Sequence, residues 1–134
     1  MKHDKLALAC GVLLLAVAAC GCNRLKARDQ LNKGVASFRS AQFQSAIMHF
    51  KESVRLDPTL LNAKLYLATA YAQLYIPGGE SEENIKIARQ AIEGFDDVLT
   101  MDPTNVTAIA SAAQIYYQMK NFDKAKESQR RRLE

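Results

Sequence analysis

Apolar residues recur every three or four positions along most of the chain after residue 24. The clearest case is a set between positions 43 and 54: Phe43, Ala46, Ile47, Phe50 and Val54. This spacing places the set on one face of a helix, with polar residues on the other. Extended along the chain, the pattern predicts an all-α protein with helices at about 25–41, 43–56, 60–75, 82–101, 105–119 and 122–133. No segment alternates in the manner of a strand.

Turn signals separate these predicted helices. Asp-Pro-Thr occurs at positions 57–59 and again at 102–104. Proline ends a preceding helix and is tolerated in the first turn of the next, and Asp or Thr is expected to accept hydrogen bonds from free helical N–H groups. Pro77-Gly78-Gly79 is the strongest break inside a pair of helices.

The helices form an internal repeat. The second-helix markers Ala46, Ala91 and Ala125 are 45 and 34 residues apart, whereas small residues in the first helices, at positions 34, 68 and 113, are 34 and 45 apart. The unit is therefore 34 residues long, and eleven extra residues lie between the two helices of the middle repeat. We interpret this insert as a short loop plus about one extra helical turn, with packing residues resuming at Ile85 and a fold that does not depend on the loop.

This helix–turn–helix unit resembles the tetratricopeptide repeat. The matching positions are Gly34, Phe43, Ala46, Phe50 and Pro58; Leu67, Ala68, Tyr71, Ala91, Phe95 and Pro103; and Ala113, Tyr116, Phe122 and Ala125. Departures at Lys33, Ser37 and Gln129 lie at the two ends of the array, where atypical residues are expected. The resemblance implies an α-solenoid of three hairpins over residues 27–134: 27–60, 61–105 with the insert, and a truncated 106–134.

The N-terminal segment has the pattern of a cleavable signal helix. Two lysines precede an apolar run over residues 6–19, about 21 Å long as a helix, which is short of a hydrocarbon core of about 30 Å. The run ends in Val17-Ala18-Ala19-Cys20, which resembles the lipobox of bacterial lipoproteins. The resemblance implies a signal peptide at 1–19, lipidation of Cys20 and a linker at 20–26. Cys22 is the alternative site of lipidation. The alternative to cleavage is that the segment remains attached as a signal anchor.

The residue after Cys20 bears on localisation. The sorting rule of such lipoproteins retains the protein in the inner membrane mainly when Asp follows the lipidated cysteine, and here Gly21 follows it. We therefore expect a lipid-anchored protein of the cell envelope, in the outer membrane and facing the periplasm.

Composition and charge narrow the chemistry. The chain has 134 residues, 49% of them hydrophobic, and a net charge of +4 that is spread along its length, so nucleic acid is not an expected partner. All three cysteines lie at or before position 22, which leaves the folded part without a disulfide framework or a thiolate metal site. The one dense basic cluster comprises residues 130–132 with Lys124 and Lys126. We expect these residues to interact favourably with the dipole at a helix C-terminus, and contact with phosphate or anionic lipid is the alternative.

No set of residues predicts an enzyme. His49 stands alone on a helix and is expected to be an exposed surface residue. Asp96 and Asp97 are adjacent, so their carboxylates point about 100° apart and do not form an acid–base or metal pair. We expect no catalytic site, no metal and no cofactor.

The resemblance instead implies a groove lined by the first helix of each repeat. Its positions are Arg28, Leu31, Val35, Phe38 and Arg39; Asn62, Leu65, Thr69, Ala72 and Gln73; and Thr107, Ala110, Gln114, Tyr117 and Gln118. Amides, two aromatic rings and two arginines suit an extended peptide whose backbone needs hydrogen-bond partners. Family members that dock chaperones grip a C-terminal carboxylate with Lys, Asn and Arg, and the corresponding positions here are Leu31, Val35, Tyr66, Thr107 and Ser111, so that clamp is absent.

These features predict a membrane-tethered adaptor that holds other envelope proteins in an assembly. The alternative is a periplasmic module that binds a peptide or substrate and delivers it. Aligned on Ala125, the chain stops just before the aliphatic residue and Asp-Pro that follow the earlier repeats. We expect the apolar side of the last helix, including Leu133, to be covered by a further repeat, a second copy or a partner.

Overall fold

The regular structure is helical throughout the part of the chain that the structure describes. The computed structural model describes the backbone of residues 2–120 and of residue 130, and the side chains of residues 21–120 and of residue 130. Within those residues there are five helices and no strand: α1 (Lys2–Arg39), α2 (Phe43–Leu56), α3 (Leu61–Leu74), α4 (Glu82–Met101) and α5 (Val106–Gln118). The described chain is therefore all-α, as the periodicity predicts.

The predicted helix bounds agree with the structure to within two residues, except at the N-terminus. The bounds of α2 and α4 are those predicted, and α3 and α5 are each one residue shorter at both ends. The helix predicted to begin near residue 25 begins instead at Lys2, so residues 20–26 continue the helix and form no extended linker. The sixth helix, predicted at 122–133, lies outside the described residues except for Arg130, which is helical and exposed.

The helices pair as consecutive hairpins. α1 packs on α2, α3 packs on α4, and α2 and α4 also pack on the helices that follow them, α3 and α5. The core between these helices contains Phe50, Phe95 and Val98, none of which has accessible surface. The second-helix aromatic residues thus fill the space between neighbouring helices, as predicted.

Small residues set how closely the paired helices approach. A Cβ atom added at Gly34 would lie 2.4 Å from Cε1 and 2.5 Å from Cδ1 of Phe50. In the second hairpin Ala68 occupies the corresponding position, and the glycine is on the opposing helix. A Cβ atom added at Gly94 would lie 2.8 Å from the Cβ atom of Ala68. The prediction that these positions are small because two helices meet there is confirmed.

The tight turn after α1 ends the helix with a left-handed residue. Ala41 has φ of 56°, its N–H donates to the carbonyl of Phe38 at 3.0 Å, and the N–H of Gln42 donates to the carbonyl of Ser37 at 2.9 Å. These two bonds form a Schellman motif. Lys120, at the equivalent position after α5, has φ of 59° and donates to the carbonyl of Tyr117.

The two Asp-Pro-Thr turns differ from the capping expected of them. Asp57 and Asp102 are the C-caps of α2 and α4, and each carboxylate accepts hydrogen bonds from the backbone N–H and the hydroxyl of the threonine two residues later. Neither Asp caps the next helix. α5 is capped by Asn105, whose side chain accepts from the N–H of Ala108, and α3 has no side-chain cap.

The insert is tied to the fold by one buried side chain. Asn84 is 6% exposed, its Oδ1 accepts from the N–H of Ile76, and its Nδ2 donates to the carbonyls of Ile76 and Gly79, each at 2.8 Å. Ser81 caps α4 by accepting from the N–H of Asn84. Packing therefore resumes at Asn84 and not at Ile85. α4 is six residues longer than α2, which is about one and two-thirds turns and so more than the single extra turn predicted.

One further property concerns membranes. Within residues 21–120 and at residue 130, no helical segment combines the length and the apolar character needed to cross a bilayer.

Candidate functional site

The first helices of the hairpins lie side by side. α3 contacts α1 on one side and α5 on the other, while each second helix packs behind its own first helix. We call the surface formed by α1, α3 and α5 the first-helix surface. All fifteen predicted groove positions lie on these three helices.

Five of those positions form an apolar layer. They are half-buried and pack against the core: Leu31, Val35, Phe38, Leu65 and Ala72. Because their side chains already contact the core, they supply a floor of partly accessible apolar atoms to a ligand above them. Thr69 belongs to the same layer, and its hydroxyl donates to the carbonyl of Leu65 at 2.7 Å, so it offers a partner only its acceptor capacity.

Polar positions flank this layer and are exposed. They are Arg28, Arg39, Asn62, Gln73, Thr107 and Gln114. Tyr117 is 64% exposed at the α5 end of the surface. Three amide side chains provide both donors and acceptors, and none of these positions carries a negative charge. An apolar floor beside exposed amides is the arrangement expected of a surface that takes an extended chain.

Tyr66 connects two of the first helices, a role that the sequence pattern did not assign to it. Its ring stacks on that of Phe50, with centroids 5.5 Å apart, and meets Phe38 edge to face at 6.2 Å. Phe38 in turn meets Phe43 edge to face at 5.3 Å. With 37% of its surface exposed, Tyr66 is both a core residue and part of the first-helix surface. The only sequence feature that could have indicated this role is the position of Tyr66, one residue after the groove position Leu65 in α3.

The α1 end of the surface is basic. The positive charges of Arg24 and Arg28 act on Asp57, which lies in the turn between α2 and α3. The pKa of Asp57 is lowered, first by the hydrogen bond from the Thr59 hydroxyl, and further by the Thr59 N–H and by the positive charges of the two arginines. Sequence reasoning included Arg28 but missed Arg24, which lies one helical turn before it.

A cleft of about 290 Å³ opens at the other end of the surface. The insert loop and the last residues of α5 form its walls: Tyr75, Gly78, Gly79, Glu80, Ile85, Gln118, Met119 and Lys120. Gln118, a predicted groove residue, is thereby brought beside the insert. The insert loop, on which the fold was predicted not to depend, is thus part of the wall at the α5 end of the first-helix surface.

The remaining candidates are placed as follows. His49 is half-buried, because α1 crosses it and its Nδ1 donates to Oε1 of Gln30 at 2.9 Å; the expectation of an exposed residue was wrong. Asp96 and Asp97 are exposed, and Asp97 lies 3.5 Å from Lys64. No group of three or more metal-binding side chains occurs in the part of the chain whose side chains are described. The side chain of Cys20, and residues 124, 126, 131, 132 and 133, lie outside that part.

Comparison with known proteins agrees with this architecture. A family model of the tetratricopeptide repeat matches residues 106–134. Among curated proteins, Hsp70-Hsp90 organizing protein 3 of Arabidopsis thaliana is 26% identical over 102 residues, which make up 76% of this chain and 16% of that protein. This chain therefore spans only a small part of that relative.

Several solved structures share the fold. The Arabidopsis OM64 TPR domain superposes with a TM-score of 0.70 and 18% identity, covering 83% of both chains. MamA superposes with a TM-score of 0.68 and 19% identity, covering 81% of this chain and 57% of the MamA chain. The first TPR of Spaghetti (RPAP3), solved with the HSP90 peptide SRMEEVD, superposes with a TM-score of 0.69 and 18% identity. The match covers 82% of this chain and 79% of the Spaghetti chain. The fold is a tetratricopeptide-repeat solenoid.

Proposed function

We propose that this protein is an adaptor that binds an extended segment of another protein on its first-helix surface, and that a lipid on Cys20 tethers it in the cell envelope. The observation that carries the proposal is the combination of an apolar floor with exposed Asn62, Gln73 and Gln114 on three adjacent helices. Two similar proteins support the same proposal, since one is an Hsp70-Hsp90 organizing protein and the other was solved with a bound HSP90 peptide.

The ligand of this chain differs from a chaperone tail. Three positions equivalent to the carboxylate clamp are Leu31, Val35 and Tyr66, and all three side chains pack against other parts of the fold. The other two, Thr107 and Ser111, are uncharged. A segment recognised through its backbone and apolar side chains fits this surface better than one recognised through a terminal carboxylate.

The tether rests on the leader pattern. The apolar run over residues 6–19 and the sequence Val17-Ala18-Ala19-Cys20 support lipidation, and Gly21 supports an outer-membrane protein that faces the periplasm. Stable attachment needs more than one acyl chain, which the lipoprotein modification provides. Replacing Cys20 with Ser should abolish fatty-acid labelling and leave the unprocessed precursor; labelling that persists in this variant would assign the lipid to Cys22.

Crosslinking in native membranes followed by affinity purification tests the adaptor function. We expect a stoichiometric membrane complex that is weakened by the double change Gln114→Ala and Tyr117→Ala on α5. Met48→Ala is the control, because Met48 is 72% exposed on the second helix α2 and lies outside the first-helix surface. Equal loss with the control variant would contradict binding through the first helices.

A substrate-delivery module is the second candidate. The cleft at the α5 end favours it, since it offers a bounded site for a short side chain at one end of the surface. Transient capture of many unrelated peptides, with no stoichiometric complex, would support delivery over the adaptor function.

A further inference from the structure

The first part of α1 described with side chains stands clear of the rest of the fold. All six residues from 21 to 26 are exposed. Contact with the fold begins at Ala27, which has no accessible surface and whose carbonyl accepts a 2.7 Å hydrogen bond from the Ser53 hydroxyl. The helix therefore continues beyond the packed hairpins by about 9 Å, at about 1.5 Å per residue.

This part of α1 is purely basic. Residues 21–28 include Arg24, Lys26 and Arg28 and no acidic residue. The first acid that follows, Asp29, is engaged by Lys33 at 2.7 Å. The facing carboxylate from another element is that of Asp57, which interacts with Arg24 and Arg28. Leu25, between the basic residues, is 73% exposed, so its apolar side chain is accessible to a lipid surface beside the helix.

Helical continuity fixes how far these charges lie from the membrane. An extended linker from residue 20 to residue 28 would reach about 28 Å, whereas the observed helix spans about 12 Å. The electrostatic screening length at physiological ionic strength is about 8 Å. A helix anchored at Cys20 therefore holds Arg24 and Lys26 within about one screening length of the lipid headgroups.

We propose that residues 21–28 form a membrane-surface contact in which Arg24, Lys26 and Arg28 bind the phosphates of anionic phospholipids and Leu25 enters the headgroup layer. This inference rests on the proposed tether and adds a second, electrostatic attachment. It sets the orientation of the solenoid, because a rigid helix fixed at both the lipid and the headgroups cannot swing freely about Cys20. Each basic residue near an anionic surface contributes roughly a fivefold factor to the bound population.

Cys22 provides a native probe, since its thiol is exposed between Cys20 and Arg24. The full-length protein is expressed, purified from membranes and labelled at Cys22 with an environment-sensitive fluorophore. It is then reconstituted in two kinds of vesicle, one of neutral phosphatidylcholine alone and one that also contains about one-third anionic phosphatidylglycerol. We expect a blue-shifted emission in the anionic vesicles that high salt reverses. The triple change Arg24→Gln, Lys26→Gln, Arg28→Gln should lower the ratio of bound to free segment by roughly a hundredfold.

The matched control is Lys86→Gln, Arg89→Gln, Lys120→Gln, which removes three exposed basic residues far along the chain from α1. It should leave the emission shift unchanged. Equal emission in neutral and anionic vesicles, or equal effects of the two triple variants, would overturn the inference. A third outcome would also overturn the inference: the triple α1 variant keeps its lipid contact but no longer crosslinks to an acidic protein. The basic residues would then bind that protein and not the lipid.

Failure of the tether is seen separately by intact mass, which reports whether Cys20 carries acyl chains. If it carries none, the unprocessed chain with Cys10→Ser and Cys20→Ser is inserted through its apolar run and labelled at Cys22. The same shift and the same charge dependence are expected there, so the electrostatic contact is tested whichever anchor is used.

Discussion

Gly34 marks the closest approach of the two helices in the first hairpin. Replacing it with Ala would place a Cβ 2.4 Å from the ring of Phe50, which is fully buried. We expect Gly34→Ala to lower the free energy of unfolding by about 1–3 kcal/mol, the usual cost of overpacking. Urea unfolding followed by circular dichroism measures this change.

Gly21→Ala is the control for that substitution. Gly21 is also helical, but a Cβ there meets nothing within 4 Å. Alanine has the higher helix propensity, so this variant should be unchanged or slightly more stable, by up to about 1 kcal/mol. A stable Gly34→Ala variant would mean that the helices shift apart at little cost.

Phe95 and Tyr117 illustrate two different uses of an aromatic side chain. Phe95 has no accessible surface, whereas Tyr117 is 64% exposed on the first-helix surface. Phe95→Ala should cost about 3–5 kcal/mol, and Tyr117→Ala should remain within about 0.5 kcal/mol while weakening capture of the partner. Thermal unfolding of both variants checks the contrast, and equal destabilisation would contradict the register of the repeats.

At the scale of elements, Asn84 holds the insert loop to α4. Its side chain bonds three backbone groups of the loop and is buried. Asn84→Ala should lower stability by about 1–3 kcal/mol, because it leaves the N–H of Ile76 without that acceptor in a partly buried site. Asn62→Ala, at an exposed position of α3, should change stability by no more than about 0.5 kcal/mol. Equal stability of both variants would show that the fold does not depend on the attachment of the loop, as the sequence pattern predicted.

The Asp-Pro-Thr turns that join successive hairpins make stability depend on pH. The pKa of Asp102 is lowered by hydrogen bonds from Asn105 first and then from Thr104, and that of Asp57 by Thr59. A carboxyl whose pKa is lower in the folded state stabilises the fold above its unfolded pKa of about 3.9, and this contribution is lost as the pH falls through the folded value.

The double variant Asp57→Asn, Asp102→Asn should therefore have a lower Tm than the parent protein at pH 7. The difference should narrow as the pH is lowered below about 4, because the parent carboxyls become protonated there. Differential scanning calorimetry across this range measures it. A difference in Tm that is independent of pH would mean that the charge of the two carboxylates does not contribute.

At the scale of the whole molecule, the first-helix surface predicts selectivity against chaperone tails. The peptide SRMEEVD carries three acidic side chains and a terminal carboxylate, and this surface offers no clamp of basic residues at the equivalent positions. We expect no saturable binding of the labelled peptide up to about 1 mM by fluorescence anisotropy. The first TPR of Spaghetti is the positive control, and competition by the free but not the C-terminally amidated peptide would contradict the prediction.

Local patterns in the sequence were sufficient for the solenoid. The bounds of α2 and α4 follow from apolar periodicity and from Pro58, Pro77 and Pro103, which act on residues next to them in the chain. The repeat length and the insert follow from the spacing of small residues. The close contact at Gly34 was predictable for the same reason, since only a missing side chain leaves room for a neighbouring helix.

The candidate site was predictable only in part. The fifteen positions fall on the first helices as expected, but their accessibility is decided by the helices that cross them. Phe38 became part of an aromatic cluster because Phe43 and Tyr66 reach it, and Gln118 came to line a cleft because the insert loop lies beside α5. Burial depends on neighbours that are distant in the chain, so periodicity alone cannot rank these positions.

The sequence by itself determined the all-α class, the repeat and the residues that pack within each hairpin, because helix periodicity and proline act over a few residues. Tertiary structure decided the contact of His49 with Gln30, the three bonds of Asn84 and the electrostatic influence of Arg24 and Arg28 on Asp57. Those interactions join residues 5 to 33 positions apart. Their geometry is set by where one helix crosses another, and that crossing is a property of the assembled solenoid.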